Sequence, residues 1–204
     1  MAAVFFIGGS PCSGKSTVAE MLADKYGLQY YKLDDHLEEY VGLGAKEGNE
    51  LFQKLSSMTL DETWLRDPDI QCQEELDIYR AMFIYALRDI SAMPERPPII
   101  AEGAGFLPEI MRKMNIDAAH YICIVPSEQF QVRKYSQRTW VKDYLHDCSD
   151  SKQAFENWMQ RDALFARKVS DDAERLGYCA ITVDGSSGVD ETYRQVVNTF
   201  HLSN

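Results

Sequence analysis

Residues 9–17 read Gly-Ser-Pro-Cys-Ser-Gly-Lys-Ser-Thr and come directly after the apolar run Val4-Phe5-Phe6-Ile7. Their spacing is G-x-x-x-x-G-K-[ST], the pattern of a phosphate-binding loop, and it stands between a predicted strand and a predicted helix. A glycine-rich turn can match the pattern by chance. The strand before the loop and the helix after it favour the phosphate site.

Each residue type in this loop suits a triphosphate with its metal ion. Gly9 and Gly14 let the backbone curl so that consecutive N–H groups face phosphate oxygens, and the helix start adds further unpaired N–H groups. Lys15 can reach the β- and γ-phosphates, and the Ser16 hydroxyl can take a coordination position on Mg²⁺. We therefore predict ATP and Mg²⁺ as ligands. The predicted binding residues are Gly9, Ser10, Pro11, Cys12, Ser13, Gly14, Lys15, Ser16 and Thr17.

The composition restricts the class of protein. The chain has 204 residues, 45% of them hydrophobic and 26% charged, which suits one α/β domain over residues 1–204. A net charge of −11 argues against a nucleic-acid binder. No apolar run approaches the roughly 18 residues of a membrane span, and the N-terminus lacks the basic start of a signal peptide. The five cysteines form no C-x-x-C pair, which is typical of reduced thiols in a cytoplasmic protein.

Apolar periodicity predicts strands and helices in alternation. The predicted strands are 4–7, 28–33, 98–101, 119–125 and 179–183. The predicted helices are 18–26, 71–93, 108–114, 127–145, 152–177 and one after Gly188. Residues 40–67 are interpreted as irregular, with Asp67-Pro68 as a stop signal. The alternation predicts a doubly wound, three-layer α/β/α domain with a five-stranded, mainly parallel sheet.

Carboxylates follow several of the predicted strands. In open parallel sheets, ligands bind beyond the carboxyl ends of the strands. Asp34 and Asp35 follow the second strand and Glu102 follows the third, so each is a candidate to accept a proton or to hold the metal. One of the two aspartates can instead cap a helix near His36. Asp184, after the last strand, suits a turn equally well.

A basic segment follows the fourth predicted strand. Arg133 and Arg138 lie in it, with Lys134, Arg138 and Lys142 at a spacing of four that would put them on one helix face. A mobile cover carrying such arginines can stabilise charge on a transferring phosphoryl group. The alternative is a solvated basic face, with Arg161-Asp162 as a local ion pair on an exposed helix. Trp140 and Trp158 are expected to pack at the base of this region.

Together these residues resemble the P-loop kinases of small molecules, the group that contains nucleoside and nucleoside-monophosphate kinases. Leu33-Asp34-Asp35-His36 is similar to an element of uridine kinase and pantothenate kinase, although His36 replaces a Phe there. Ile99-Ile100-Ala101-Glu102-Gly103 is similar to a strand end of the same enzymes. Val183-Asp184-Gly185-Ser186-Ser187 resembles the adenine-framing loop of this group. The resemblance implies the strand order 2-3-1-4-5, a helical lid at about 127–168 and catalytic residues Lys15, Asp34, Asp35, Glu102, Arg133 and Arg138.

The predicted activity is transfer of the ATP γ-phosphoryl group to a hydroxyl of a small, nucleoside-like metabolite. The acceptor region is expected at about 36–92. Several side chains there can line a pocket, and the basic ones would suit an anionic acceptor or simply a solvated face: Trp64, Arg66, Tyr79, Arg80 and Arg88. A nucleoside-monophosphate kinase and a regulatory nucleotide-binding ATPase remain alternatives. A GTPase is disfavoured because no N-K-x-D run follows the fourth strand.

Overall fold

One parallel β-sheet organises the computed structural model, which describes residues 3–202. Its strands are β1 (Val4–Gly9), β2 (Gln29–Lys32), β3 (Ile99–Glu102), β4 (Tyr121–Pro126) and β5 (Cys179–Val183). They are arranged in the order β2-β3-β1-β4-β5, and each neighbouring pair is parallel. This arrangement confirms the predicted fold and strand order. It also brings the carboxyl ends of β1, β2 and β3 together at one end of the sheet.

Helices cover both faces of the sheet. They are α1 (Lys15–Tyr26), α2 (Leu37–Lys46), α3 (Glu50–Ser57), α4 (Leu60–Trp64), α5 (Pro68–Ala92), α6 (Pro108–Lys113), α7 (Glu128–Ser136), α8 (Thr139–Leu145), α9 (Ser151–Arg175) and α10 (Val189–Thr199). On one face, Leu22 of α1 and Val196 of α10 pack in a cluster with Ile7. On the other, Tyr79 of α5 and Phe165 of α9 pack in a cluster with Phe6. None of the helices within residues 3–202 is long and apolar enough to cross a membrane.

The segment 40–67, predicted to be irregular, is instead largely helical. Asn49 caps α3 by accepting hydrogen bonds from the backbone N–H groups of Leu51 and Phe52. Thr59 and Glu62 form a capping box at the start of α4. Sequence periodicity missed these helices because they are short and because α2 contains glycines. Gly44 lies where a β-carbon would collide with the ring of the buried Phe52.

Two helix boundaries also differ from the predictions. Asp67-Pro68 begins α5 and does not stop a helix: Asp67 accepts a 2.8 Å hydrogen bond from Asp69 N–H, and proline suits the first helical position. The predicted helix 127–145 is two helices, α7 and α8. Arg138 is the extended residue that precedes α8 (φ −86°, ψ 113°). Lys134, Arg138 and Lys142 therefore do not share one helix face.

Candidate active site

The phosphate loop leaves β1 through a backbone that only glycine adopts easily. Gly9 has φ 121°, and the N–H of Ser10 donates a 3.2 Å hydrogen bond to the carbonyl of Ile124 in β4. Gly14 precedes α1 with φ 82° and provides no side-chain cap. The first N–H groups of α1 are thus left for a ligand, and the helix dipole favours an anion there.

Lys15 lies across the loop. It is only 7% exposed, and its Nζ donates a 2.8 Å hydrogen bond to the carbonyl of Ser10, which also accepts a 2.9 Å bond from the Ser13 hydroxyl. The ammonium group is therefore held at the centre of the loop, where it can meet the β- and γ-phosphates of a bound nucleotide.

Glu102 ends β3 in the middle of the sheet and is fully buried. The hydroxyl of Tyr30 donates a 3.1 Å hydrogen bond to its Oε1, while Oε2 is buried without a hydrogen-bond partner in the described chain. Burial raises the pKa of the Glu102 carboxyl, and the charge of Asp34 adds to the rise, whereas Lys15 and the Ser16 hydroxyl oppose it.

This pair of oxygen groups fits Mg²⁺. The Ser16 hydroxyl lies close enough to Glu102 to lower the pKa of its carboxyl, and Oε2 of Glu102 has no hydrogen-bond partner in the described chain. Mg²⁺ prefers oxygen ligands and usually takes few from the protein, because nucleotide phosphates and water provide the rest. Residues 3–202 contain no cluster of three His, Cys, Asp or Glu side chains that would hold a metal alone. The site therefore suits an ion that arrives with the nucleotide.

The two aspartates after β2 have different surroundings. They lie in a single 3₁₀ turn, Leu33–His36, and neither caps a helix, since Lys32 precedes that turn and His36 precedes α2. Asp35 is exposed and pairs with Lys32 at 3.3 Å. Asp34 has no such partner among the described contacts, and its charge adds to the raised pKa that burial gives to both Glu102 and Glu75. Asp34 is exposed like Asp35, and its charge acts on both of those carboxyl groups.

His36 stands where uridine kinase and pantothenate kinase have a phenylalanine, and it packs as an aromatic ring. Its ring stacks between Tyr31, at 5.1 Å, and Tyr40, at 5.5 Å. The Tyr31 and Tyr40 hydroxyls are hydrogen-bonded at 2.6 Å. This aromatic stack fixes the turn that carries Asp34.

A cavity of about 470 Å³ opens beside the phosphate loop. Its lining comes from the loop, the basic segment and the stretch after β5: Cys12, Ser13, Gly14, Thr17, Phe130, Lys134, Arg138, Val183, Gly185, Ser187, Gly188, Val189 and Thr192. The volume suits a small ligand, and the position suits the rest of a nucleotide whose phosphates lie in the loop.

The two predicted lid arginines lie in different places. Arg138 lies over the ring of Tyr135 at 4.9 Å and lines the cavity beside the loop. Burial raises the pKa of the Cys12 thiol and Arg138 opposes that rise, which places the guanidinium near the loop. Arg133 lies over Phe130 at 5.2 Å, near the turn that begins at Asp184.

The stretch after β5 is a turn. Asp184 accepts a 2.8 Å hydrogen bond from the backbone N–H of Ser186 and a 2.6 Å bond from its hydroxyl. These bonds lower the pKa of Asp184, and Arg133 adds to the effect. Asp184 thus serves the turn, which was one of its two predicted roles.

A second cavity, of about 460 Å³, lies where the acceptor region was predicted. Its lining is mainly from α2, α3 and α5: Leu37, Glu38, Val41, Gly42, Leu55, Ser56, Met58, Thr63, Arg66, Gln71, Glu74, Glu75, Ile78, Tyr79, Met82 and Arg161. We call it the acceptor cavity.

Of the five side chains considered for this pocket, two line it, Arg66 and Tyr79. Arg80 pairs elsewhere with Asp77 and Glu109, each at 2.6 Å. Arg88 lies beside Tyr85 and pairs with Asp89. Trp64 is buried and stacks on Trp158 with 4.4 Å between ring centroids. Trp158 packs as expected, whereas Trp140 is 49% exposed.

Arg161 lines the acceptor cavity and forms the expected ion pair with Asp162, but the pair is largely buried and does not lie on an exposed helix face. The Arg161 side chain is 15% exposed and lies 4.9 Å over the ring of Trp64. Arg161 Nε lies 3.0 Å from Oε2 of Glu75, and Nη2 lies 2.5 Å from Oδ1 of Asp162. Burial raises the pKa of the Glu75 carboxyl, Arg161 opposes the rise and Asp162 adds to it.

Glu75 was missed by the reasoning from sequence. A signal existed, because Glu75 stands four residues before Tyr79 and seven before Met82, on the face of α5 that the apolar pattern buries. A carboxylate on such a face needs a partner. The partner lies on α9, which the periodicity of α5 does not reveal.

Comparisons with known proteins agree with this geometry. Residues 11–72, from the phosphate loop into α5, match the family model for shikimate kinase. A shikimate kinase structure from Bacteroides thetaiotaomicron aligns at 12% identity, with a TM-score of 0.54 over 98% of this chain and 99% of that chain. A protein from Thermus thermophilus aligns at 14% identity, with a TM-score of 0.54 over 100% of this chain and 99% of that chain. The comparison with curated proteins finds no match.

These similarities confirm the resemblance to P-loop kinases of small molecules. The family match covers the phosphate loop from Pro11, the turn with Asp34, helices α2 to α4 and the first turn of α5. The structural alignments, at low identity, extend the shared fold over nearly the whole chain. Together they support an ATP-dependent small-molecule kinase.

Proposed function

We propose that this protein transfers the γ-phosphoryl group of ATP to a hydroxyl group of a small molecule bound in the acceptor cavity. The observation that carries the proposal is the position of Asp34. It lies in the turn after β2, three residues before Leu37 of the acceptor cavity, and its charge acts on both Glu102, near the phosphate loop, and Glu75, in that cavity. A carboxylate between donor and acceptor is placed to receive the proton of an attacking hydroxyl.

On the donor side, the proposed roles follow from the loop. The N–H groups of residues 10–17 bind the phosphates, and Lys15 neutralises charge on the β- and γ-phosphates. Ser16 would coordinate Mg²⁺, and Glu102 would hold its coordinated water. Bound Mg²⁺ supplies charge neutralisation on the phosphates.

On the lid side, Arg138 would approach the transferring phosphoryl group, because it already lines the cavity beside the loop. Arg133 would bind nearer the nucleoside, because it lies by the turn after β5. We include in this proposal a single kinase domain over residues 1–204 and a cytoplasmic location. The latter is consistent with five cysteines that form no disulfide.

Two alternatives make different predictions. A nucleoside-monophosphate kinase needs no general base, because its acceptor is already a phosphate anion. A regulatory ATPase would bind ATP without any acceptor that accelerates ADP release. A second cavity, lined by α2, α3 and α5 and separate from the one beside the phosphate loop, favours a kinase over a regulatory ATPase, because a kinase must also hold an acceptor.

The experiment is an ADP-release screen against nucleosides, nucleoside monophosphates, sugars, cyclitols and hydroxy acids. Shikimate belongs in the panel because the matching family model carries that name. Lys15→Ala is the control for contaminating kinases. We expect at least one hydroxyl compound to raise ADP release well above the rate with water. A panel in which no compound exceeds that rate would contradict the proposal.

A further inference from the structure

The acceptor cavity is less positively charged than its two arginines alone would suggest. Three carboxylate side chains and two guanidinium groups line it. Both guanidinium groups are already paired. Arg161 contacts Glu75 and Asp162, as described above, and Arg66 Nη1 lies 2.6 Å from Oε2 of Glu74. The charge of each guanidinium group is therefore already compensated before an acceptor binds.

The end of the cavity near Asp34 carries surplus negative charge. Glu75 and Asp162 share the single cation Arg161, and Asp162 is 1% exposed. Within the described chain, Oδ2 of Asp162 and Oε2 of Glu75 are buried without a hydrogen bond, although the latter keeps its ion-pair contact with Arg161. The charge of Asp34 also acts on Glu75. Because burial raises the pKa of Glu75, a cation beside this carboxyl would stabilise its ionised form, so the arrangement favours a cation and repels an anion.

Gln71 provides a second, independent observation. It is 4% exposed and lines the cavity. Its amide nitrogen donates to the carbonyl groups of Trp64, at 3.3 Å, and Arg66, at 2.8 Å. Those two acceptors fix the orientation of the amide, so Oε1 is the acceptor left without a partner. It requires a hydrogen-bond donor.

The rest of the cavity suits the carbon skeleton of such a ligand. Leu37, Val41, Met58 and Ile78 contribute apolar surface to its lining. Nε of Arg66 is buried without a partner and can donate to a hydroxyl oxygen. A volume of about 460 Å³ accommodates a compound of the size of a sugar or cyclitol derivative.

We propose that the phosphoryl acceptor is a polyhydroxy compound that carries a protonated amine, bound with its ammonium group at Glu75. The inference rests on the proposed kinase function and specifies the substrate of that site. It separates this protein from kinases whose acceptor carries a carboxylate or phosphate. Glu75 acts in acceptor binding, and Asp34 remains the proposed base.

The test uses two sets of matched ligands that differ in charge. One set is glucosamine, glucose and glucuronate. The other is 2-deoxystreptamine, myo-inositol and quinate, with shikimate as a second carboxylate. The affinity of each is measured by calorimetric titration of the full-length protein saturated with a non-hydrolysable ATP analogue, and its KM by ADP release. We expect the amine of each set to bind at least about 10-fold tighter than its neutral partner, and the carboxylates to bind weakest.

Glu75→Gln should abolish this preference by weakening amine binding about 10- to 100-fold, with little change for the neutral compounds. Glu75→Asp should restore part of the preference. Glu109→Gln is the matched control, because Glu109 pairs with Arg80 outside the cavity. Thermal melting verifies that each variant is folded. The ligand series on the unmodified protein tests the inference even if a variant does not fold.

The outcomes separate this inference from the kinase proposal. Tighter binding of a carboxylate, or no difference within either set, overturns the inference. If a neutral or anionic compound releases ADP faster than the amine of its set, the inference is overturned and the kinase proposal still holds. If no compound of any class is phosphorylated, the proposed function fails and the inference fails with it.

Discussion

Tyr30 of β2 donates a 3.1 Å hydrogen bond to Oε1 of Glu102 in the neighbouring strand β3. The bond satisfies one oxygen of a fully buried carboxylate and leaves the other without a hydrogen bond in the described chain. A buried carboxylate in this state destabilises the fold unless a ligand compensates for it. Glu102 therefore suits metal binding, although it lowers the stability of the ligand-free fold.

The first prediction concerns Glu102→Gln. Burial raises the pKa of Glu102 in the folded protein above its ordinary value of 4.5. Its contribution to stability is therefore fully present below that ordinary pKa and is lost as the pH rises through the folded pKa. We expect Glu102→Gln to raise the melting temperature at neutral pH and to lower kcat by about 10²- to 10³-fold, as removal of a transition-state electrostatic group does.

Melting curves from pH 4 to 8 without nucleotide, and kcat at saturating ATP, check this prediction. The difference in stability between the variant and the unmodified protein should grow towards high pH. Glu109→Gln, at a partly exposed ion pair, should not reproduce that trend. Unchanged kcat in Glu102→Gln would contradict the assigned role.

The second prediction separates the two adjacent aspartates. Asp34→Asn should lower kcat about 10²- to 10⁴-fold, because it removes the proposed general base. Asp35→Asn should retain nearly full activity, because Asp35 is exposed and pairs only with Lys32 at 3.3 Å among its described contacts. Steady-state kinetics with the acceptor from the screen measure both. Equal losses in the two variants would refute the assignment of Asp34, and an active Asp34→Asn would favour a monophosphate acceptor.

The third prediction separates the two lid arginines. Arg138→Ala should lower kcat about 10³- to 10⁵-fold, the range for arginines that stabilise a transferring phosphoryl group. Arg133→Ala should mainly raise the KM for ATP, since Arg133 lies by the turn at Asp184. Measurement of kcat and KM for ATP in both variants decides the matter. A reversed pattern would exchange their roles.

The fourth prediction concerns stability of the phosphate loop. A β-carbon at Gly9 would collide with the backbone of Ile124, whereas one at Gly14 would meet no atom within 4 Å. Both glycines have positive φ. We expect Gly14→Ala to cost about 1–2 kcal/mol of unfolding free energy, from backbone strain alone. Gly9→Ala should be far more destabilising, and denaturant unfolding of both variants compares them. Equal stabilities would contradict the packing of β1 against β4.

Some features of the fold were predictable because their signals are local. Cys179–Val183 is an apolar run between turn residues, and the structure forms β5 over the same range. The predicted helix 18–26 lies within α1, which Gly27 ends in the left-handed conformation that glycine adopts easily. The short helices α3 and α4 were not predicted, because they are defined by capping at Asn49 and Thr59 and not by apolar periodicity.

The sequence by itself determined the phosphate loop, the alternation of parallel strands with helices and the carboxylates at the strand ends, while the strand order came from the resemblance to P-loop kinases. The first three depend on residues next to one another or on the way parallel strands are connected. Only the tertiary structure decided that the charge of Asp34 acts on both Glu102 and Glu75, and that Arg161 pairs with Glu75. The physical reason is that pairing across α5 and α9 depends on how two distant helices pack. The sequence suggested a basic pocket, whereas the packing of these helices pairs Arg161 with two carboxylates.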